Sequence, residues 1–331
     1  MPAKEINEKV EARIDLGRKR LASVLTRHGV AHIRTLEQKI ADAGPNDQRI
    51  EPQLIGEALS RMRKAGEVVS FNDPASGTKW HHLTTMPADY VSQRLAAQRP
   101  IYQQVHGSEF VKRVGDALEV AVFRAILEAK YHHWGGFVSI DGPDSVRYKK
   151  IEPPTTYNLR TSASPVDFHA LVGGEVVAIE VKNTREWVHP DSDEIRKLLQ
   201  KATDLDMVPV LIARRIPYVT MSTLEACGVL GHQTYNQRYP ATDADLAAKA
   251  SNKDLLGYHD IRLGNEPDAR MRRFFSELLP QLAPRARAKF DDMKDLLADF
   301  ARKEISYKKF YTELQIRLGN WQRYYDDDEY P

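Results

Sequence analysis

The chain has 331 residues, of which 42% are hydrophobic and 28% are charged, as is typical of a soluble globular protein. Its formal net charge of +2 permits nucleic-acid binding but does not indicate it, and the single cysteine, Cys227, excludes an intrachain disulfide and a cysteine metal cluster. No apolar run approaches the roughly 18 residues of a membrane span, and the first residues lack a signal-peptide core. We therefore expect a cytoplasmic protein with no membrane partner.

The first 86 residues predict three helices followed by a β-hairpin. Apolar spacing indicates helices over 8–28 and 33–42 and a third that begins at Pro52, while 67–71 and 78–83 read as strands. This order resembles a winged helix-turn-helix, whose third helix enters the DNA major groove and whose hairpin contacts the backbone. The resemblance assigns DNA contacts to Gln53, Ser60, Arg61, Arg63 and Lys64 on the third helix and to Lys79 on the wing. The alternative is that these are ordinary solvated charges on a module that packs against protein.

Two further helices are predicted before the next strand. The first, Ala88 to Val105, connects the winged module to the rest of the chain and is broken or kinked by Pro100. The second runs over 107–130 with a continuous apolar stripe. Glu119 lies on the flank of that stripe, so it could reach the edge of a sheet that the helix covers. Considered alone, it would be a solvated carboxylate.

Residues 134–140 read as a strand entered from a turn. They are followed by a loop over 141–165 that is rich in Pro, Thr and Ser and long enough to be functional. Lys149, Lys150 and Arg160 in this loop could meet a phosphate backbone, although a plain solvated loop explains them equally well.

The most informative stretch is 166–182, which predicts two strands joined by the turn Gly173-Gly174. If those two glycines are the loop, Asp167 lies directly opposite Glu180, with Cα atoms about 4.5–5.5 Å apart and side chains on one face. Lys182 shares that face, about 7 Å along the strand. Facing carboxylates repel each other, and a divalent cation would turn the repulsion into a binding site, since hard oxygen ligands suit magnesium. The alternative is a hairpin whose open end carries solvated charges.

The other face of this hairpin, with Phe168, Ala170, Val177 and Ile179, suits burial. A helix near 195–205 and an apolar strand over 207–213 follow. Tyr218-Val219-Thr220 reads as another short strand, and most of 236–331 reads as helix. The predicted domains are 1–86, a connecting helix over 87–106, a core over 107–235 and a helical region over 236–331.

This order of elements resembles the PD-(D/E)XK nuclease superfamily. The resemblance covers about 107–220 and is carried by Asp167 and Glu180-Val181-Lys182, with Glu119 matching the frequent first acidic residue. The proline of the motif name is Pro165, one place early. The resemblance implies a restriction-endonuclease-like α/β fold, a mixed sheet flanked by helices, that hydrolyses phosphodiester bonds with Mg²⁺ or Mn²⁺.

The resemblance also implies roles for these residues. Asp167, Glu180 and the Val181 carbonyl would hold the metal, Glu119 would hold a second ion or a metal-bound water, and Lys182 would position or help deprotonate the attacking water. The accessory candidates are Gln200, on the helix after the motif, and His169.

The sequence thus predicts a metal-dependent DNA endonuclease acting on double-stranded DNA, of restriction or phage-defence type by family analogy. Two alternatives stay open: a structure-specific nuclease of repair or recombination, and a DNA-binding regulator with an inactive nuclease fold. Double-strand cleavage would need a homodimer or two sequential cuts. RNA as the substrate also stays open, because the metal chemistry does not itself distinguish the sugar.

Overall fold

A computed structural model of the protein describes residues 3–41, 49–142, 144 and 146–320. The elements of the first third are α1 (Ala3–His28), β1 (Ala31–His32), α2 (Ile33–Ile40), α3 (Pro52–Lys64), β2 (Val68–Asn72), β3 (Lys79–Leu83), α4 (Ala88–Val105) and α5 (Ser108–Glu128). The middle contains β4 (His132–Trp134), β5 (Gly136–Val138), β6 (Lys149–Ile151), β7 (Thr156–Tyr157), β8 (Arg160–Thr161), β9 (Phe168–Val172), β10 (Glu175–Lys182), α6 (Asp193–Leu205), β11 (Val208–Ala213), α7 (Tyr218–Ala226), β12 (Leu230–Gln233) and β13 (Gln237–Tyr239). The last part contains α8 (Ala244–Ser251), β14 (Ile261–Leu263), α9 (Ala269–Arg273), a π-helical turn (Phe274–Leu278), α10 (Leu279–Ala301) and α11 (Tyr307–Arg317).

The chain divides into two compact units. The N-terminal unit contains the described residues of Met1–Lys112 and Asp243–Leu263, and the sheet unit contains those of Arg113–Thr242 and Gly264–Pro331. The helical region predicted over 236–331 is therefore shared between them, with α8 in the first unit and α9–α11 in the second. None of the helices in the described ranges is both long and apolar enough to cross a membrane.

The N-terminal unit begins with the three helices and the hairpin that the sequence predicted. β2 and β3 pair antiparallel, and β1, which was not predicted, adds a third strand in the order β1-β3-β2. Helices α1 and α3 pack closely at Gly17, where a Cβ atom would lie 3.3 Å from that of Ala58. Helix α4 has the predicted bounds and continues through Pro100.

The sheet unit is built on a mixed sheet of five strands in the order β12-β11-β10-β9-β4. Strands β10, β11 and β12 run parallel, and β9 and β4 are antiparallel to their neighbours. Helix α5 and the start of α10 cover one face, and α6, α7, the rest of α10 and α11 cover the other. The predicted mixed α/β architecture with flanking helices is thus confirmed. The hairpin face with Phe168 and Ile179 is buried against α5, as expected.

Three local predictions were wrong. The expected strand over 134–140 is two strands, because Gly135 and Gly136 adopt φ of +82° and +154° and turn the chain between β4 and β5. The expected loop over 141–165 contains β6, which pairs with β5, and the small hairpin β7–β8. Residues 218–220 begin helix α7, with Pro217 at its N-cap, and do not form a strand. The apolar strand over 207–213, β11, extends the sheet beside β10.

Candidate active site

The β9–β10 hairpin has the predicted turn and register. Val172 pairs with Glu175 and Phe168 with Ile179, around a loop of Gly173 and Gly174 whose φ angles are +60° and +88°. Two features require glycine at position 173: its φ is positive, and a Cβ atom there would lie 2.5 Å from the Pro280 carbonyl oxygen. The turn therefore fixes which residues reach the open end of the hairpin.

The ladder stops one pair short of the expected Asp167–Glu180 pair, so these residues do not lie directly opposite each other. Instead the Asp167 amide donates to the Ile179 carbonyl (3.0 Å), and Asp167 Oδ2 accepts from the Val181 amide (2.7 Å). The N–H and C=O of one residue in a strand point to the same side. The Val181 carbonyl is therefore directed to the Asp167 side of β10.

Lys150 on β6 joins two of the predicted acidic residues. Its Nζ lies 2.6 Å from Asp167 Oδ1 and 2.8 Å from Glu119 Oε2, and these three side chains are between 13% and 18% exposed. The sequence interpretation placed Lys150 in a loop, either at a phosphate backbone or in solvent, so its position beside Asp167 and Glu119 was missed. Glu119 on α5 does reach the sheet edge, whereas Glu109 on the same helix is exposed and pairs with Lys112.

Glu180 is held by two different lysines. Its Oε1 lies 2.7 Å from Lys182 Nζ and its Oε2 lies 3.0 Å from Lys201 Nζ, with the carboxylate side chain 7% exposed. Lys201 was missed because the adjacent Gln200 was chosen as the polar residue of α6. Asp167 and Glu180 thus contact different ammonium groups, Lys150 for the first and Lys182 and Lys201 for the second.

The electrostatics of the cluster follow from burial and from these pairs. Burial raises the pKa of Glu119 to about 7, and the nearby Asp167 carboxylate adds to the increase. Burial lowers the pKa of Lys150 and of Lys182, but the neighbouring carboxylates outweigh it and leave both pKa values raised. Lys182 is therefore an ammonium group at neutral pH, which suits it to positioning a water molecule or stabilising negative charge better than to removing a proton.

The donor set fits a divalent cation in part. Asp167 Oδ1 and Glu119 Oε2 converge on one cationic nitrogen, the Val181 carbonyl is directed to the same side, and oxygen ligands suit Mg²⁺. In the part of the chain that the structure describes, however, no three or more His, Cys, Asp or Glu side chains are gathered as a metal-binding group. Glu180 could join the pair only by exchanging its lysine partners.

His169 pairs with Ala178 in the β9–β10 ladder and is completely buried. Burial lowers its pKa to about 4, and neither ring nitrogen has a hydrogen-bond partner among the described residues. The ring of Trp134 lies 6.4 Å away, centroid to centroid. These surroundings suit a neutral packing residue better than a ligand.

The predicted DNA-contacting residues lie on α3 and β3 of the N-terminal unit. Gln53, Arg63, Lys64 and Lys79 are exposed, and Ser60 is half-buried. Arg61 differs, because its guanidinium donates to Glu11 (2.6 and 3.0 Å) and to Glu57 (2.8 Å).

The turn between β2 and β3 is fastened to helix α4. Asp73 pairs with Arg99 at 2.9 Å, and Gln103 donates to the Ala75 carbonyl at 3.1 Å. The β2–β3 hairpin is therefore joined to α4 by side-chain contacts. The His81 ring lies 2.7 Å from the Ser70 hydroxyl, and the His82 ring lies 2.9 Å from the Leu83 carbonyl.

Comparisons with protein-family models, with curated proteins and with solved structures returned no match. Inferences about function therefore rest on the residues of this chain.

Proposed function

We propose that the protein is a Mg²⁺- or Mn²⁺-dependent DNA endonuclease, with a restriction-endonuclease-like sheet unit and a winged helix-turn-helix in the N-terminal unit. The observation that carries the proposal is the convergence of Asp167 and Glu119 on one cation position, at the end of β10 that also carries Glu180 and Lys182. Partly buried like charges are unfavourable unless a cation holds them together. Their gathering at one sheet edge is what a metal-dependent phosphodiesterase requires.

Each residue has a distinct task in this proposal. Asp167, Glu119 and the Val181 carbonyl would hold the metal, and Glu180 would complete the set after exchanging its lysines. The ion, when bound, would polarise the scissile phosphate and offset the charge that develops on it. Lys182 would orient the attacking water through its N–H groups, and its raised pKa keeps it protonated for that purpose.

The sheet unit also carries a surface suited to nucleic acid near this site. The strands β10, β11 and β12 end together at this side of the sheet, because Lys182 pairs with Ala213 and Ala213 pairs with Gln233. Beyond those strand ends, the Arg215 guanidinium lies 6.0 Å from the ring of Trp187 and 5.0 Å from that of Tyr235. A second guanidinium, of Arg270, lies 5.1 Å from Tyr235. Aromatic faces alternating with guanidinium groups are the combination with which proteins bind nucleic-acid bases and phosphates.

The N-terminal unit supports DNA as the substrate. The order of three helices and a three-stranded antiparallel sheet matches a winged helix-turn-helix. Arg63 and Lys64 lie exposed at the end of α3, and Lys79 lies exposed on the wing strand. Such residues suit phosphate and guanine contacts.

Supercoiled plasmid incubated with Mg²⁺ tests the proposal. We expect the wild-type protein to nick or cut it, and Asp167→Asn and Glu119→Gln to slow cleavage at least about a hundredfold, because each would remove a metal ligand. Glu109→Gln, an exposed position on the same helix as Glu119, is the matched control and should cleave like the wild type. Lys182→Met should also lose activity, with the exposed Lys197→Met as its control. Cleavage that survives both carboxylate substitutions would remove the site from consideration.

One observation favours a second candidate, a DNA-binding protein that does not cleave. The three carboxylates of the cluster are matched by three ammonium groups, those of Lys150, Lys182 and Lys201, so the cluster is neutralised without a metal. Tight binding of duplex DNA, with no cleavage in either Mg²⁺ or Mn²⁺, would favour this candidate over the nuclease.

A further inference from the structure

The Lys150 side chain occupies the position where the two acidic residues converge. Its ammonium is within 2.8 Å of both Glu119 and Asp167, and its side chain is 18% exposed. The ammonium thus offsets the repulsion between two carboxylates in a partly buried environment. The contact spans separate elements, since Glu119 lies on α5, Lys150 on β6 and Asp167 just before β9.

An ammonium group and a divalent ion cannot use these oxygens together. Mg²⁺ binds carboxylate oxygen at about 2.0–2.1 Å, so an ion shared by this pair would lie close to the present position of the nitrogen. Two cations at that separation repel each other strongly in a site with little solvent. Metal binding at this position therefore requires the lysine to leave.

The structure offers the lysine a second place. Glu152 lies just after β6, two residues beyond Lys150. Its Oε2 is 3.8 Å from Lys150 Nζ, and its side chain is 54% exposed. The four-carbon side chain of lysine is flexible, so the ammonium can shift by a few ångströms without backbone movement. The Lys150 side chain can thus move from the shielded Glu119–Asp167 pair to the solvated carboxylate of Glu152.

We propose that Lys150 is the resident cation of the Glu119–Asp167 pair, and that a divalent ion binds there only by displacing the Lys150 ammonium. Lys150 is then a gating residue that sets the metal affinity of the site. This inference rests on the proposed metal-dependent function, but it concerns metal binding in the absence of DNA and can fail separately from it.

The test is a titration of the DNA-free protein with Mn²⁺, in which free Mn²⁺ is measured by electron paramagnetic resonance. Lys150→Met removes the competing charge and keeps much of the stem, so we expect Mn²⁺ to bind about tenfold more tightly, or better, than to the wild type. Lys149→Met is the matched control, because Lys149 is the exposed neighbour on β6, and its affinity should stay within about twofold of the wild type. Damage to the fold would weaken binding, so tighter binding is specific to displacement.

The outcomes separate the two proposals. Unchanged or weaker binding by Lys150→Met, while the wild type and Lys149→Met bind, overturns the gating role and leaves the metal site intact. Absence of Mn²⁺ binding by all three proteins overturns both. If Lys150→Met is less stable than the wild type, its thermal unfolding is followed with and without Mn²⁺. A rise in midpoint with Mn²⁺ larger than that of the wild type supports the gating role, and an equal or smaller rise overturns it.

Discussion

The attachment of Glu180 to two lysines predicts a measurable loss of stability when one of them is removed. Lys201 is 14% exposed and donates to a carboxylate that is 7% exposed, with 3.0 Å between Nζ and Oε2. A hydrogen bond to a charged group contributes about 1.5–3 kcal/mol, and here Glu180 keeps Lys182 as its other partner. We therefore expect Lys201→Met to reduce the free energy of unfolding by about 2 kcal/mol. Lys197→Met, on the exposed side of the same helix, should change it by less than about 0.5 kcal/mol.

Urea unfolding in the presence of EDTA measures this difference without a metal contribution. Because the chain has two compact units, circular dichroism and tryptophan fluorescence should both be followed, and only the transition of the sheet unit should move. A double-mutant cycle of Lys201→Met with Glu180→Gln isolates the pair, and we expect a coupling energy of about 1–2 kcal/mol. A coupling energy near zero, or equal effects of Lys201→Met and Lys197→Met, would show that Glu180 is not held in this way.

Three further predictions concern the turn, a buried histidine and the α3 surface. Gly173→Ala should destabilise the protein by at least about 1–2 kcal/mol more than Gly174→Ala in urea unfolding, because both have positive φ but only position 173 lacks space for a Cβ atom. His169 has a folded pKa of about 4 against 6.5, so the unfolded chain binds its proton first as pH falls. Stability should then drop progressively between pH 6.5 and 4, and His169→Leu should remove up to about 3 kcal/mol of that drop. Arg63→Ala should weaken duplex DNA binding and reduce its salt dependence by about one counterion, whereas Arg61→Ala should do so less, since Arg61 is already ion-paired.

Each of these predictions has an outcome that contradicts it. Equal losses of unfolding free energy in Gly173→Ala and Gly174→Ala would mean that the nearby Pro280 carbonyl of α10 does not exclude a Cβ atom at position 173. An unfolding free energy with the same pH dependence in wild type and His169→Leu would mean that the histidine is not buried in its neutral form. If Arg61→Ala reduced the salt dependence of DNA affinity more than Arg63→Ala, the Arg61 ion pairs would have to open on DNA binding.

The hairpin could be predicted from sequence because its information is local. A two-residue Gly-Gly turn fixes the register of the strands that flank it, and alternation then assigns each side chain to a face. For the same reason Asp167, Glu180 and Lys182 were correctly expected at one end of the hairpin. Most of the helices were predictable from their apolar periodicity, although α1 begins at Ala3 and not at residue 8, and the start of α7 was predicted as a strand.

The remainder of the site could not be read from the sequence, because it depends on contacts between distant segments. Lys150 precedes Asp167 by a stretch with no periodic pattern, and only the pairing of β6 with β5 brings it to the site. A lysine in a Pro-rich segment carries no local sign that it will be buried. The choice between Gln200 and Lys201 likewise depends on the rotation of α6 about its axis, which a difference of one residue changes by about 100°. The prediction that Asp167 and Glu180 face each other directly failed for a different reason, since the Asp167 amide bonds to the Ile179 carbonyl and its carboxylate accepts from the Val181 amide.

The two-residue turn also bears on the order in which the molecule assembles. Short loops close within microseconds and at small entropic cost, whereas the parallel pairings of β10 with β11 and of β11 with β12 must wait for the crossover helices α6 and α7. The β9–β10 hairpin can therefore form while the rest of the sheet is still unpaired. Its acidic residues would then be solvated and far from most of their final partners, and the repulsion between them would be screened by water. Burial beneath α5 and α6 would come later, together with Lys150 of β6 and Lys201 of α6, whereas Lys182 belongs to the hairpin itself. In this order of assembly, the carboxylates would be buried only together with the ammonium groups that offset their charge.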